Sequence, residues 1–340
     1  MTTTFEPAAS STSLNTHAEL VRIAGALADP TRSLASLIGE TGELRALVER
    51  HTRLCMDGSV HMSVGTSILP SGKAISPMQA ALCAREPFRT AAFIQGLAQA
   101  IRAAMTPQRP VAVLYAGCGP FALLALPLMA LFTPDQVQFT LLEVHADALD
   151  DARALIEGFG YGAHVAQFVC TDAATWRIAP GAPVDVIVSE TMNTALGKEP
   201  QVSIMRNLYI QAPQATLVPA AIAVHLGAPG RSQEQPCADW GRIFEINAAA
   251  ILDWQALDGP TLPAATIRLP EVLGDGPRLL TRIEVYDGIA LRDYESSLNL
   301  PLQLPGKPQL QGGVTLAFSY RLGPAPGLAW EVQEATQETA

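Results

Sequence analysis

The stretch Val111-Ala-Val-Leu-Tyr-Ala-Gly-Cys-Gly-Pro-Phe-Ala122 constrains the fold more than any other part of the chain. It reads as a buried strand, a glycine turn and the start of an apolar helix, the opening of a strand–helix–strand unit. Glycines at that turn let the backbone approach a ligand closely and aim amide N–H groups at it. A second apolar strand, Leu141-Leu142-Glu143, ends in a carboxylate. An acid at the tip of the second strand of a doubly wound sheet is placed to hold ribose hydroxyls. The pair of signals therefore points to an adenosine-type ligand; in its plain reading Glu143 is a solvated strand end.

The flanking sequence fits this organisation. Strands are expected at 111–116, 138–143, 165–169 and 184–189, and helices at 121–132 and 146–158. That alternation predicts an α/β, Rossmann-like doubly wound sheet over residues 81–218, with helices on both faces. Residues 1–16 are rich in Thr, Ser and Ala and read as a mobile tail. From His17 to about Arg53 the apolar spacing is helical, through Leu20, Ile23, Leu27, Leu37, Leu44 and Leu47. Residues 56–77 read as short strands or loop, and Pro77 to Met105 as a further helical stretch. Residues 17–80 are thus expected to form an N-terminal helical and lid segment over the ligand. After Pro219 apolar alternation dominates, at 220–226, 279–286, 298–304, 314–320 and 329–332. Residues 219–340 are expected to form a β-rich domain, with a helical insertion around Trp240–Leu257.

A chain of 340 residues with 49% hydrophobic and 16% charged residues can build two domains with real cores. The net charge of −10, without a basic cluster, argues against nucleic acid or an anionic membrane as partner. It leaves room for small cationic substrates. The longest apolar run, Phe121 to Phe132, is too short to span a bilayer and contains Pro127. Cys55, Cys83, Cys118, Cys170 and Cys237 form no CxxC pair, and their odd number without a secretory signal fits a reducing cytoplasm. Cys118 and Cys170 lie in apolar runs and read as small core or pocket residues. The histidines form no paired pattern, so no metal is expected.

A strand followed by Gly-x-Gly is a weak signal alone, since Gly117 and Gly119 could simply make a tight turn. The third glycine of a dinucleotide fingerprint is absent, and Pro120 has no N–H for a pyrophosphate. A ligand without phosphates needs less of this loop. Asp172, after the third strand, either accepts from an exocyclic adenine amine or caps the next helix. Arg89, on the helix before the first strand, is either a surface residue or a planar fork that pairs with a carboxylate of the ligand.

Together these pieces resemble the class I S-adenosylmethionine-dependent methyltransferases. From about Arg85 to Pro219 the chain resembles, more narrowly, the protein arginine methyltransferase family. Arg89-Thr90 stands as that family's Asp-x-x-Arg-Thr element does, with Glu86 as the acid. Gly117-Cys118-Gly119 stands at its cofactor loop and Glu143 at its ribose acid. Val186-Ile-Val-Ser-Glu190 is followed by Thr-Met-Asn-Thr-Ala-Leu-Gly-Lys-Glu199, and the spacing of nine between Glu190 and Glu199 matches the family's two-glutamate hairpin. Arg206-Asn-Leu and Leu217-Val-Pro219, leading into the β-rich part, are similar as well. The resemblance implies S-adenosyl-L-methionine as cofactor, S-adenosyl-L-homocysteine as product, a C-terminal β-barrel-like domain and a homodimer. It makes Glu190 and Glu199 the catalytic pair, with Met192 and Asn193 lining the acceptor pocket. Cofactor binding would fall to Arg89, Gly117, Cys118, Gly119 and Glu143, with Asp172 beside the adenine. The chain departs from the family at the third glycine, at the aromatic and small residues of the hairpin, and in having no Thr-His-Trp element, since its last histidine is His225. That element helps build the family's substrate site, so a small-molecule acceptor is expected in place of protein arginine.

Two carboxylates can grip a planar cation through charge-assisted, bidentate hydrogen bonds. A guanidinium is protonated in water. Glu190 and Glu199 could localise its charge, free a lone pair on one nitrogen and accept the proton. Crowding two carboxylates raises the pKa of one when the site is empty. In the plain reading Glu190 caps the loop and Glu199 is solvated beside Lys198. The expected function is methyl transfer to nitrogen of a guanidino or amino compound in a biosynthetic pathway. The other readings are a protein arginine N-methyltransferase, a C- or O-methyltransferase on the same fold, a non-catalytic cofactor-binding subunit and an NAD(P)-binding module.

Overall fold

The computed structural model describes residues 9–56, 61–230 and 236–333. Of the expected tail, residues 1–8 lie outside these. Residues 9–16 are helical, because α1 (Ala9–Leu27) begins there. Leu20, Ile23 and Leu27 are fully buried, and a helix anchored on such a stripe propagates backwards more easily than it nucleates. Helix α2 (Ile38–His51) packs against α1. A hairpin follows, β1 (Ser67–Leu69) paired antiparallel with β2 (Gly72–Ala74), then α3 (Pro77–Leu82), whose capping box is made by Ser76 and Gln79. Helix α4 (Pro87–Ala104) comes next. The helical stretch expected over 77–105 is thus split at Pro87, which holds Glu86 in an extended conformation (φ −96°, ψ 91°).

Helix α4 is buried on nearly every face, from Arg89 through Ile101. It packs against the parallel sheet, the N-terminal helices and the β-rich half at once, which buries Arg89, Thr90 and Gln95 along with its apolar residues. At Gly96 an added Cβ would lie 2.7 Å from Val285 Cγ1 and 3.3 Å from Tyr286 Cβ, so the glycine sets how closely the β-rich half approaches.

The central sheet comprises β3 (Val111–Ala116), β4 (Val137–Glu143), β5 (Val165–Cys170), β6 (Val186–Ser189) and β7 (Thr216–Val218). Helices α5 (Leu126–Met129), α6 (Ala146–Gly158) and α7 (Gln201–Gln211) lie between them in sequence. All neighbours are parallel, in the order β5-β4-β3-β6-β7. This is the expected Rossmann-like half, and its strand order reverses at β3, where a crevice opens at the carboxyl ends. Only Leu126–Met129 of the helix expected at 121–132 is α-helical. Ala122 is left-handed (φ 43°), and Pro120 and Pro127 have no N–H, so the chain leaves the glycine loop through turns. Cys170, expected in the core, is exposed, because β5 is the edge strand.

The second half is antiparallel. Strands β8 (Ala221–Ala228) and β9 (Ala238–Asn247) are followed by α8 (Ala248–Asp253), β10 (Thr261–Arg268), β11 (Arg278–Tyr286), β12 (Ile289–Leu291), β13 (Leu302–Gln303), β14 (Thr315–Arg321) and β15 (Gly327–Gln333). One sheet runs β12-β11-β8-β9, with β13 also on β11; the other runs β10-β14-β15. These are two separate ladders, and among the described residues no strand pairing joins them into the closed barrel that the resemblance implies. The insertion expected at 240–257 is strand as far as Asn247, with Ile243, Phe244 and Ile246 buried on β9, and its helical part is α8, capped by Asn247. Of the strand expected at 298–304 only Leu302–Gln303 pairs, with Pro301 and Pro305 on either side. Phe244 stacks between Trp254 and Tyr320, at 5.3 and 4.6 Å. No described helix is long and apolar enough to cross a membrane.

Helix propensity favours alanine over glycine by about 1 kcal/mol, whereas overpacking costs about 1–3 kcal/mol. Gly96→Ala should therefore lower the urea midpoint, and a raised midpoint would contradict this account of the α4–β11 contact.

Candidate active site

The carboxyl ends of β3, β4, β5 and β6 open into one cleft of about 1070 Å³, its mouth included. The β1–β2 hairpin and α3 roof it. Ser71 Oγ donates to Asp172 Oδ2 at 3.1 Å, Ser67 Oγ lies 3.1 Å from His145 Nε2, and the Lys73 N–H donates to the Lys198 carbonyl at 2.7 Å. The roof is thus tied to the loops after β5, β4 and β6. No residue of α1 or α2 lines the cleft. Those helices pack beside α4, α5 and α6, so of the described residues in 17–80 only the stretch from Leu69 to Ala80 borders the cleft.

Gly117 has φ 73°, a backbone conformation that side chains disfavour, and a Cβ there would collide with Thr191 Cγ2. Its immediate neighbour is therefore the loop after β6. The amides of the glycine loop are already paired. Gly117 and Cys118 donate to the Leu142 carbonyl at 2.9 and 3.1 Å, and Gly119 donates to Glu143 Oε2 at 2.9 Å. Pro120 has none to offer. The donors expected to face a ligand are consumed within the protein, which leaves residues 117–120 without an amide for a pyrophosphate.

Glu143 is only 8% exposed and lines the cleft. Besides Gly119 it accepts from the Val144 and His145 amides, at 2.8 and 3.1 Å. A carboxylate offers about four lone-pair sites, and with the His145 ring 3.5 Å from Oε1 as a fourth partner a ligand hydroxyl would share or displace one of these donors. The hydrogen bond to Glu143 raises the pKa of the His145 imidazole. Asp172 also lines the cleft, but its Oδ1 accepts the Ala174 N–H at 2.9 Å. That makes a turn; no helix follows for it to cap.

Arg89 and Glu190 form an ion pair at the foot of the cleft, with side chains 10% and 11% exposed. The guanidinium sits on Glu190 Oε2, while Glu190 Oε1 is buried with no hydrogen-bond partner. Burial pushes the Glu190 carboxyl up to about 7, against the pull of Arg89. Burial works against the Arg89 charge, but Glu190 more than offsets it and holds the guanidinium above its ordinary value. Glu199 is 8% exposed and lines the same cleft. Burial raises its pKa as well, opposed by Arg89 and Lys73 and by a hydrogen bond from Asn193.

The chain between the two glutamates is strained and braced. Ala195, Leu196 and Lys198 are all left-handed, at φ 55°, 56° and 70°, a conformation that persists only where surroundings impose it. The Ala195 N–H donates to Thr281 Oγ1 at 2.8 Å, Tyr320 Oη donates to the Leu196 carbonyl at 2.7 Å, and the Lys198 N–H donates to the Pro326 carbonyl at 2.8 Å. Glu190 is braced from α7 instead. Gln201, fully buried, accepts from the Thr191 N–H at 2.8 Å and donates to the Ser189 carbonyl at 3.0 Å.

The cleft brings together Arg89, Gly117, Cys118, Gly119, Glu143, Asp172, Glu190 and Glu199, all singled out from the sequence. Met192 and Asn193 do not line it. Met192 is 2% exposed in the core, because the braced loop turns it inward. Asn193 caps the next turn, accepting from the Thr194 N–H at 2.7 Å. Lys73, Thr191 and the bracing Gln201 were not read from the sequence. Among the described residues no three His, Cys, Asp or Glu side chains are grouped to hold a metal.

No model of a known protein family matches the chain, and no curated protein matches it in sequence. Solved structures that match include the CcbJ methyltransferase from Streptomyces caelestis, at 16% identity over 71% of this chain and 70% of that one, TM-score 0.29. A variant of MtNAS in complex with S-adenosylmethionine matches at 15% identity over 80% of this chain and 98% of that one, TM-score 0.26. The cyclase SpnF matches at 16% identity over 38% of this chain, TM-score 0.26, and the match spans 44% of SpnF's own length. At such distance the site has to be understood from its own residues.

A carboxyl whose pKa rises on folding leaves the fold most favoured where it is protonated in both states. For Glu190 the contribution is lost as pH rises from about 4.5 to about 7 and is constant above that. The stability of Glu190→Gln relative to wild type should therefore grow across that window and then level off in urea titrations of the unliganded protein. A difference independent of pH would contradict the assignment.

Proposed function

We propose that the protein is an S-adenosylmethionine-dependent methyltransferase whose acceptor is the nitrogen of a small guanidino or amino compound. The observation that carries this reading is the unpartnered Oε1 of Glu190, buried in the cleft that also holds Glu199 and Glu143. An unsatisfied buried acceptor costs about 1–3 kcal/mol, and a donor on a bound cation would remove that cost. The consumed amides of the glycine loop favour a ligand without phosphates, and thus S-adenosylmethionine over a dinucleotide.

When bound, the cofactor supplies a methyl group already activated on sulfonium. Glu143 would hold its ribose hydroxyls, with Asp172 beside the adenine and the glycine loop beneath. Arg89 is on the protein's own carboxylate in the unliganded site, and a cofactor carboxylate would compete for it. Glu190 Oε1 and the Glu199 carboxylate would take N–H donors of the acceptor, fix its approach and accept the proton released on transfer. The roof, tied at Ser67, Ser71 and Lys73, covers one side of the cleft. A mouth narrowed in this way suits a small acceptor better than a segment of folded protein.

Transfer of labelled methyl from S-adenosylmethionine to a panel of guanidino and amino compounds tests this. The wild type should label at least one of them, and Glu190→Gln and Glu199→Gln should each lose about 100-fold or more in kcat/KM, the scale of a missing acid–base group. Activity left intact in both variants would remove the pair from the mechanism.

A further inference from the structure

The cleft contains a cation that the roles above leave unassigned. Lys73, on β2 of the roof, lines it together with Glu190 and Glu199. Its backbone N–H is bonded to the Lys198 carbonyl at 2.7 Å, which holds β2 against the backbone next to Glu199. The ammonium is near enough to favour the ionised form of Glu199. Among the described residues its side chain makes neither an ion pair nor a hydrogen bond. Arg89, the other permanent cation of the lining, is engaged by Glu190.

This distribution of charge has a consequence for the acceptor. A purely cationic molecule held by Glu190 and Glu199 would place its charge beside Lys73, and like charges at short range repel. A molecule that also carries an anion a few atoms from its cation turns the same lysine into a partner. An ammonium is a point charge with three rotatable donors, suited to a carboxylate arriving from any direction.

We propose that the acceptor is a small zwitterion, with a guanidinium or ammonium gripped by Glu190 and Glu199 and a carboxylate paired by Lys73. This rests on the methyl-transfer reading above and adds the acid group to it.

Calorimetric titration separates the two claims. Two pairs of probes, L-arginine with agmatine and L-ornithine with putrescine, differ only in the carboxylate. They are titrated into protein saturated with S-adenosylhomocysteine, as wild type, Lys73→Met, Lys73→Gln and Lys73→Arg. In at least one pair the wild type should bind the carboxylate-bearing member at least about tenfold more tightly, as expected of a charge-assisted contact. Lys73→Met and Lys73→Gln should abolish that preference, Lys73→Arg should restore most of it, and affinity for S-adenosylhomocysteine should be unchanged throughout. Equal binding within both pairs, no binding of any probe, or a preference that survives in the neutral variants would overturn the proposal. Weakened S-adenosylhomocysteine binding in the neutral variants would place Lys73 on the cofactor and overturn it likewise. Failure of the wild type to bind S-adenosylhomocysteine at all would instead defeat the methyl-transfer reading, and this inference with it.

Discussion

The buried ion pair between Arg89 and Glu190 is the contact on which the rest of the site depends. Removing two charges from water is expensive, and a pair of this kind persists only when its geometry and surroundings compensate. Here the surroundings are α4, buried on nearly every face, and the end of β6 with the loop after it, where Ser189 and Thr191 are pinned by Gln201. The pair ties the central helix to the central sheet. It also leaves one carboxylate oxygen of Glu190 without a donor, which makes the foot of the cleft receptive to a cationic ligand.

The two halves of the chain divide the work. The parallel sheet and its glycine loop form one side, where Glu143 is oriented by three backbone amides. The other side depends on the strained chain from Thr191 to Glu199, which is held by a hydroxyl from each antiparallel sheet, Thr281 on β11 and Tyr320 on β14. Left-handed alanine, leucine and lysine in one short loop cost free energy that those contacts must offset. The β-rich half thus fixes where Glu199 stands, without itself lining the cleft.

Much of this was legible in the sequence, for identifiable reasons. Strands β3, β4 and β6 announce themselves as apolar runs, and each ends at a residue of the site, so Gly117, Glu143 and Glu190 could be placed by position alone. Composition could not show that Pro120 and a left-handed Ala122 would reduce an apolar helix to a single turn, or that Pro87 would divide another. Proximity in sequence to Glu190 suggests a cleft position for Met192, whereas in the loop braced by Thr281 and Tyr320 it is buried and does not line the cleft. Gln201, Tyr320 and Lys73 act through contacts between segments distant in sequence, as when Tyr320 reaches Leu196. Periodicity and motif spacing carry no signal for such contacts.

The most direct test of the central claim is a calorimetric titration of the full chain with S-adenosylhomocysteine, beside the variant Glu143→Ala. Saturable binding by the wild type, lost or weakened by at least about tenfold in the variant, is the predicted result and would fix both the cofactor and its ribose contact. No binding by folded wild-type protein, or equal binding by the two proteins, would contradict the account.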